Sequence, residues 1–220
     1  MECERVQRAI DLANYYKDEI LSKYGAIIYV FQKIELTDIL NTVKQSDIKN
    51  FDMNEFERLF TVVQRREIEK IIHSEEIIKA IVETEMILGE EMQLKKYTKI
   101  EVDESNGQEK IVLNAKGLHK QFMSGIISQV LNNLEYFAMH FTHKTADKTV
   151  VYQSLHQTYL QMVQMLYYNI AQHNDGTTKY YTNVIELYND WYKKSQEQKE
   201  NISNTSSRLI EKGTVAEIPK

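Results

Sequence analysis

The placement of proline constrains this chain more than any other feature, because its single proline, Pro219, is the penultimate residue. A chain of 220 residues with average composition would carry roughly ten prolines, at about 5%. Proline interrupts a helix because it lacks an amide donor and its ring clashes with the preceding turn. Its absence from the body of the chain therefore predicts an all-α fold built from long helices.

Apolar residues recur at helical spacing through most of the chain. The predicted helices cover residues 2–23, a segment resuming at residue 26, a long stretch over residues 53–96, and segments near residues 115–143, 148–172 and 178–196. Gly25 is expected to loosen the end of the first helix. In the long stretch the apolar face also carries Glu67, Lys70 and Ser74, so either the helix breaks near Ser74 or its centre faces polar surroundings. The prediction is a helical bundle of about six or seven helices.

The polar segment "QSDIKNFD" interrupts the helical pattern before the long stretch. Asp52 and Glu55 have the spacing of a capping box, in which the first side chain accepts an early backbone amide and the second reaches back. This pair predicts the start of a helix at residue 53.

A second interruption has the character of a β-hairpin. The β-favouring runs "KIEV" and "KIVL" flank "DESNGQE", which contains an Asn-Gly turn. The prediction is a small hairpin over residues 97–114, projecting from the helical body. It divides the chain into an N-terminal helical region, 1–96, and a C-terminal helical bundle, 115–198. Helical periodicity stops there, so residues 199–220 are expected to form a flexible tail.

The composition and charge of the chain argue against several classes of function. The net charge of −5 argues against sequence-independent binding of nucleic acid, which requires clustered Lys and Arg. The single Cys3 excludes an internal disulfide and a cysteine-based zinc site, and fits a reducing compartment. The longest apolar run, "GAIIYVF", is far shorter than a membrane span, and no N-terminal signal is visible. We therefore expect a cytoplasmic protein with no membrane segment. No Gly-rich phosphate loop is present, and no cofactor is predicted.

Two histidines, His140 and His143, lie where an apolar helical pattern ends. A zinc site would need further converging ligands, and no HExxH pattern is present, so we predict no metal and assign both imidazoles to the solvated end of a helix. Asn133 lies two turns before His140, within the apolar arc. A buried amide requires a partner, which favours a hydrogen bond to a neighbouring helix. The alternative is that Asn133 and His140 line a ligand-binding pocket.

Arg66 and His73 lie seven residues apart on one side of the long helical stretch. Their spacing resembles that of the arginine and histidine in ribonucleases of the HEPN class, although Glu67 follows the arginine where that class favours a small polar residue. The resemblance implies a dimer in which the pair contacts the scissile phosphate and polarises the 2′-hydroxyl. A solvated helix face with local ion pairs is the simpler interpretation.

A wider resemblance rests on the segments "NFDMNEFERLF" and "LNNLEYFAMHFTHKTADKTVVYQSLHQTYLQMVQMLYYNIAQHN". On the basis of these segments, residues 118–192 resemble an uncharacterised, all-helical bacterial domain-of-unknown-function family. The resemblance implies an α-helical bundle and frequent occurrence near mobile elements and phage-defence genes. In that family many members carry a membrane helix upstream, and none is expected here. No catalytic residues are implied.

Three functional hypotheses follow. The first is a non-enzymatic helical protein-interaction module, in bacterial phage defence or on a mobile element. It would bind a protein partner, or itself as a homo-oligomer, through amphipathic helices or the hairpin, since Tyr, Met and Phe rows on the last three helices are wide for a small bundle. The second is a HEPN-like ribonuclease that uses Arg66 and His73. The third is a small-molecule or nucleotide sensor with a pocket at Asn133 and His140.

Overall fold

The computed structural model describes residues 2–84, 94–102 and 108–213, with side chains as far as residue 203. It confirms an all-α bundle with one small antiparallel hairpin. The first half contains α1 (Glu2–Tyr15), α2 (Ser22–Lys33), α3 (Leu36–Leu40), α4 (Met53–Leu59), α5 (Val62–Ile72) and α6 (Glu75–Glu83). The second half contains β1 (Thr98–Val102), β2 (Glu109–Leu113), α7 (Ala115–Lys120), α8 (Ile127–Thr142), α9 (Lys148–Met165), α10 (Tyr167–His173) and α11 (Thr182–Gly213).

Two π-helical turns join helices end to end. Tyr16–Leu21 connects α1 to α2, and Gln121–Ile126 connects α7 to α8. The expected loosening at Gly25 does not occur, because Gly25 lies inside α2 and the helix continues to Lys33. An isolated glycine weakens a helix by only about 1 kcal/mol, which the packing of the surrounding turns outweighs. The change of winding lies earlier, in the turn that directs Tyr16 and Ile20 into the core.

The long stretch after residue 53 is divided twice. Asp52 accepts the Glu55 amide at 2.9 Å and starts α4, as predicted. Thr61 and Gln64 form a reciprocal capping box that starts α5, a break the sequence analysis did not anticipate. Ser74 is the N-cap of α6, so the first of the two alternatives for that position, a helix break, is the one observed. The predicted continuation through residues 85–93 lies outside the described residues.

One hydrophobic core joins the two halves of the chain. Trp191 of α11 is buried and packs against Tyr159, with ring centroids 5.1 Å apart, while Tyr16 of the first π turn packs against Phe137 at 4.9 Å. The apolar rows on the last three helices therefore close this core. These buried rows are the surface that the sequence first suggested for docking. α1 packs against α9 and α2 packs against α8, which the amphipathic pattern alone could not show.

Polar bonds also cross between the N-terminal and C-terminal helical regions. The Gln164 side chain donates to the Val43 carbonyl at 2.9 Å, and the Asn174 side chain donates to the Phe51 carbonyl at 3.0 Å. The last helix, α11, continues to Gly213, into the segment 199–220 that was predicted to be a flexible tail. Residues 214–220 lie outside the described residues.

Candidate functional site

The hairpin forms within the predicted range and projects its strands into solvent. All five residues of β1 are exposed, as are the first three of β2. Three aliphatic side chains are far more exposed than is usual for their type: Ile100 at 65%, Val102 at 60% and Ile111 at 72%. The loop between the strands, residues 103–107, which includes the predicted Asn-Gly turn, lies outside the described residues.

The strand register separates the hairpin into two chemically different faces. Ile100 lies directly opposite Ile111, and Glu101 lies opposite Lys110. Because opposite residues in an antiparallel pair point to the same side, Ile100, Val102 and Ile111 share one face, on which Glu109 lies opposite Val102. The other face carries Lys99, Glu101 and Lys110, with Val112 opposite Lys99, and Lys99 forms an ion pair with Glu101.

The hydrogen-bond pattern determines which backbone groups of β1 face outward. The Asn114 amide donates to the Tyr97 carbonyl at 2.6 Å, so this pair is hydrogen-bonded. Hydrogen-bonded and non-hydrogen-bonded pairs alternate along an antiparallel ladder. Lys99 and Glu101 therefore bond to β2. The amides and carbonyls of Thr98, Ile100 and Val102 point away from β2, toward the outer edge.

The base of the hairpin is fixed to the helical body. Tyr97 and Leu113 are partly buried against the core. Asn114 follows β2 and caps α7, since its side chain accepts the Gly117 amide at 2.9 Å. The hairpin thus leaves the bundle from a defined position, with its aliphatic face continuing outward from Leu113.

His140 lines a separate surface cleft of about 350 Å³ with Arg8, Asp11, Tyr15 and Tyr136. Its Nδ1 lies 2.8 Å from the Thr145 hydroxyl, and its ring meets that of Tyr136 edge-on at 4.9 Å. Partial burial, with a contribution from Arg8, lowers the pKa of His140 below its ordinary value. The neutral imidazole is therefore favoured in the folded protein.

Asn133 lies outside the lining of this cleft. Its side-chain amide donates to the Glu19 carbonyl in the first π turn at 3.4 Å, and Lys23 contacts the same carbonyl at 3.4 Å. The predicted hydrogen bond to a neighbouring helix is confirmed. The structure therefore places His140 at a cleft and Asn133 at a helix contact.

Arg66 and His73 are both exposed, Arg66 near the middle of α5 and His73 at its C-cap. Arg66 lines a surface cavity of about 600 Å³ together with Lys33, Glu67 and Lys70, and His73 lies outside that lining. His73 instead follows the last residue of α5, and its ring centroid is 5.7 Å from that of His119. Each side chain thus has a different set of neighbours.

Among the described residues, no group of three or more His, Cys, Asp or Glu side chains converges in a way that could hold a metal ion. Within the same part of the chain, every helix is either too short or too polar to cross a lipid bilayer. The fold and the hairpin together define an all-helical bundle that carries a projecting, amphipathic β-hairpin. Comparisons with family models, with curated proteins and with solved structures found no match.

The charge and edge pattern of the hairpin is the feature that the sequence analysis missed. The signal was present in the alternation of "KIEV", where charged and aliphatic residues take turns at a period of two. The strand was predicted from the β-favouring residues of this run, without use of their alternation. A strand exposed on both sides presents both sets of side chains to solvent, which follows from the same alternation.

Proposed function

We propose that this chain is a non-enzymatic helical protein-interaction module that docks through its hairpin. The observation that supports the proposal is the exposure of Ile100, Val102 and Ile111 on one face of a hairpin whose outer strand is uncovered. Exposed aliphatic clusters are often binding surfaces. An extended strand with outward-facing amides and carbonyls binds a further strand by backbone hydrogen bonds.

The proposed surface differs from the one that the sequence first suggested. The aromatic rows of α8, α9 and α11 are buried in the core. The proposed docking surface is therefore the hairpin, the other surface that the sequence suggested. The proposed setting in phage defence or on a mobile element is supported by the resemblance of residues 118–192 to the bacterial family described above. A reducing, cytoplasmic location is supported by the lone Cys3.

A photo-crosslinking residue at position 100 tests the proposal in cells. Illumination of the full chain carrying it in place of Ile100 is expected to give a covalent adduct of defined mass. The same residue in place of Val63 is the matched control, because Val63 is 73% exposed but lies on α5. An adduct from position 100 that is absent from position 63 supports docking through the hairpin. If position 100 gives no adduct, or both positions give the same background, the proposal fails.

A HEPN-like ribonuclease that acts through Arg66 and His73 is a second candidate. The observation in its favour is the pair of neighbouring imidazoles, since the ring of His119 lies beside that of His73, with its Nε2 2.7 Å from the Ile72 carbonyl. Two adjacent imidazoles can act as a proton donor and a proton acceptor. The test compares growth on expression of the wild type, Arg66→Ala and His73→Ala, with folding of each checked by circular dichroism. A toxic wild type with two harmless, folded variants supports the ribonuclease. Equal growth of all three removes it.

A further inference from the structure

We propose that the partner of the hairpin is a second copy of this chain, bound edge to edge through β1 in an antiparallel pair centred on Ile100. This inference rests on the proposed docking function and names its partner. A two-fold axis at Ile100 would bring the same strand of two copies together, the commonest symmetry among oligomers. The two hairpins then form one four-stranded sheet.

Charge complementarity is the first argument for this partner. Antiparallel pairing about Ile100 places Lys99 of each copy opposite Glu101 of the other. The two copies thus form two identical Lys–Glu pairs. Within one chain Lys99 already pairs with Glu101, so each side chain exchanges one oppositely charged neighbour for another. Opposite charges facing each other across strands stabilise a sheet.

The backbone pattern of the free edge fits the same register. The outward-facing amides and carbonyls belong to Thr98, Ile100 and Val102. About the two-fold axis Ile100 meets Ile100 of the second copy, and Thr98 meets its Val102. Each of these is a hydrogen-bonded pair. Lys99 and Glu101 fall in the non-hydrogen-bonded pairs, where opposite side chains approach most closely.

The aliphatic face becomes continuous in this arrangement. Ile111 and Ile100 of one copy and the same two residues of the other lie in one row across four strands, with Val102 of each copy beside it. A two-stranded hairpin alone is marginally stable in water, whereas additional strands with a shared hydrophobic face stabilise a sheet. Pairing makes Ile100 of the two copies direct cross-strand neighbours, and their contact shields part of each side chain from solvent.

The other edge of the hairpin lacks this self-complementarity. Antiparallel pairing of β2 with itself about Ile111 would place Glu109 opposite Leu113 and Lys110 opposite Val112. Neither contact pairs opposite charges. Leu113 is also partly buried against the helical body. The two strands therefore differ, and β1 is the edge that recognises its own copy.

Charge reversal with rescue by mixing tests the register. Lys99→Glu carries two acidic residues at the interface positions, so two copies of it repel. Glu101→Lys combined with Lys110→Glu carries two basic residues there and keeps an oppositely charged pair between positions 101 and 110 within the hairpin. Sedimentation equilibrium of each variant is expected to show at least roughly tenfold weaker self-association than the wild type. An equimolar mixture is expected to restore it, because every cross-strand charge pair is then attractive.

The wild type must first show a concentration-dependent mass approaching twice 26.0 kDa. Amide exchange gives the second measurement: the Ile100 amide is expected to gain protection as the protein associates, while the Lys99 amide, already bonded to β2, is protected throughout. A monomeric wild type at all concentrations overturns the inference. So does a dimer that both variants leave intact, or a mixture that fails to reassociate.

The two proposals fail in distinguishable ways. If the purified protein is a monomer while the crosslinker at position 100 captures a different protein, the self-pairing inference is wrong and docking through the hairpin stands. If position 100 gives no adduct of any kind and the protein is a monomer, both are wrong. An adduct at position 100 with the mass of two chains, together with rescue on mixing, supports both.

Discussion

Glu55 is a buried carboxylate, with only 1% of its side chain exposed. It accepts the backbone amides of Lys49, Asn50 and Phe51 at 2.9–3.0 Å and the Tyr167 hydroxyl at 3.1 Å. These bonds hold a loop in which Phe51 has a positive φ of 54° and lies fully buried. One side chain thus ties the loop before α4 to α10.

Replacement of this carboxylate is expected to destabilise the protein strongly. Glu55→Gln keeps the size of the side chain but turns one acceptor into a donor that faces backbone amides. Hydrogen bonds to charged groups contribute about 1.5–3 kcal/mol each, so we expect the free energy of unfolding to fall by about 2–4 kcal/mol, measured by urea denaturation. Glu57→Gln is the matched control, because Glu57 is 59% exposed and pairs with Arg65 on the surface. Equal losses from the two variants would contradict the role of Glu55.

His140 makes stability depend on pH in a predictable direction. Burial and Arg8 lower its pKa in the folded state below the ordinary 6.5. The unfolded chain therefore binds the proton more readily than the folded chain. The contribution of His140 to the free energy of unfolding is thus complete above pH 6.5 and decreases as the pH falls from there through the lower pKa of the folded state. Replacement with Gln removes the titrating group and is expected to flatten the dependence of the unfolding free energy on pH between about 7 and 5.

The measurement compares slopes against pH and not absolute stabilities, because His140→Gln also alters the contact with the Thr145 hydroxyl. Loss of that contact shifts the unfolding free energy, whereas loss of the titrating imidazole changes its slope. Identical slopes for the wild type and His140→Gln would show that His140 titrates alike in the folded and unfolded states.

At the scale of the elements, Gly25 and Gly117 offer a direct test of helix propensity. Gly25 is exposed inside α2, and apart from its chain neighbours and the backbone of its own helix, no described atom lies within 4 Å of a Cβ placed on it. Gly25→Ala is expected to raise the free energy of unfolding by roughly 0.5–1 kcal/mol in thermal or urea denaturation. At Gly117 the added Cβ would lie 2.7 Å from the Asn114 side chain that caps α7, so Ala there is expected to be neutral or destabilising. A stabilisation of the same size at both positions would contradict this.

The elements that the sequence predicted are those specified by local chemistry. The hairpin was predicted from two β-favouring runs and the turn sequence between them, and the start of α4 from its Asp52 cap. The missed break at Thr61 also had a local signal, since Gln64 completes its capping box, but the continuous apolar pattern concealed it. Gly25 was assigned the wrong role because a glycine ends a helix only where the packing allows, and the packing of α2 was not available from the pattern.

The burial of the aromatic rows depends on packing between helices that are distant in the sequence. Tyr16 lies far along the chain from Phe137 and Trp191, yet its ring packs in the same core. An amphipathic pattern shows that a helix has an apolar face, but not which distant face covers it. For the same reason the sequence placed Asn133 correctly at a helix contact without identifying the Glu19 carbonyl as its partner.

The molecule as a whole is organised around one core, which predicts that it unfolds as one unit. Trp191, the only tryptophan, is buried in α11 and reports on the C-terminal helices. Far-ultraviolet circular dichroism reports on all helices. Because the Tyr167 hydroxyl and the Gln164 amide bond to the N-terminal half, loss of either half removes partners from the other. We expect the midpoints of urea unfolding by the two probes to coincide.

The Glu55→Gln variant extends this test to coupling between the halves. Glu55 lies in α4, and Trp191 lies in the distant α11, so a change confined to the N-terminal half would leave the fluorescence transition in place. Two-state unfolding instead requires the midpoints reported by both probes to shift to the same lower urea concentration. The size of the shift equals the loss of unfolding free energy divided by the wild-type m-value, the slope of that free energy against urea concentration. Two separated transitions, with the tryptophan midpoint unmoved, would mean that the halves of the chain are independent domains that happen to touch.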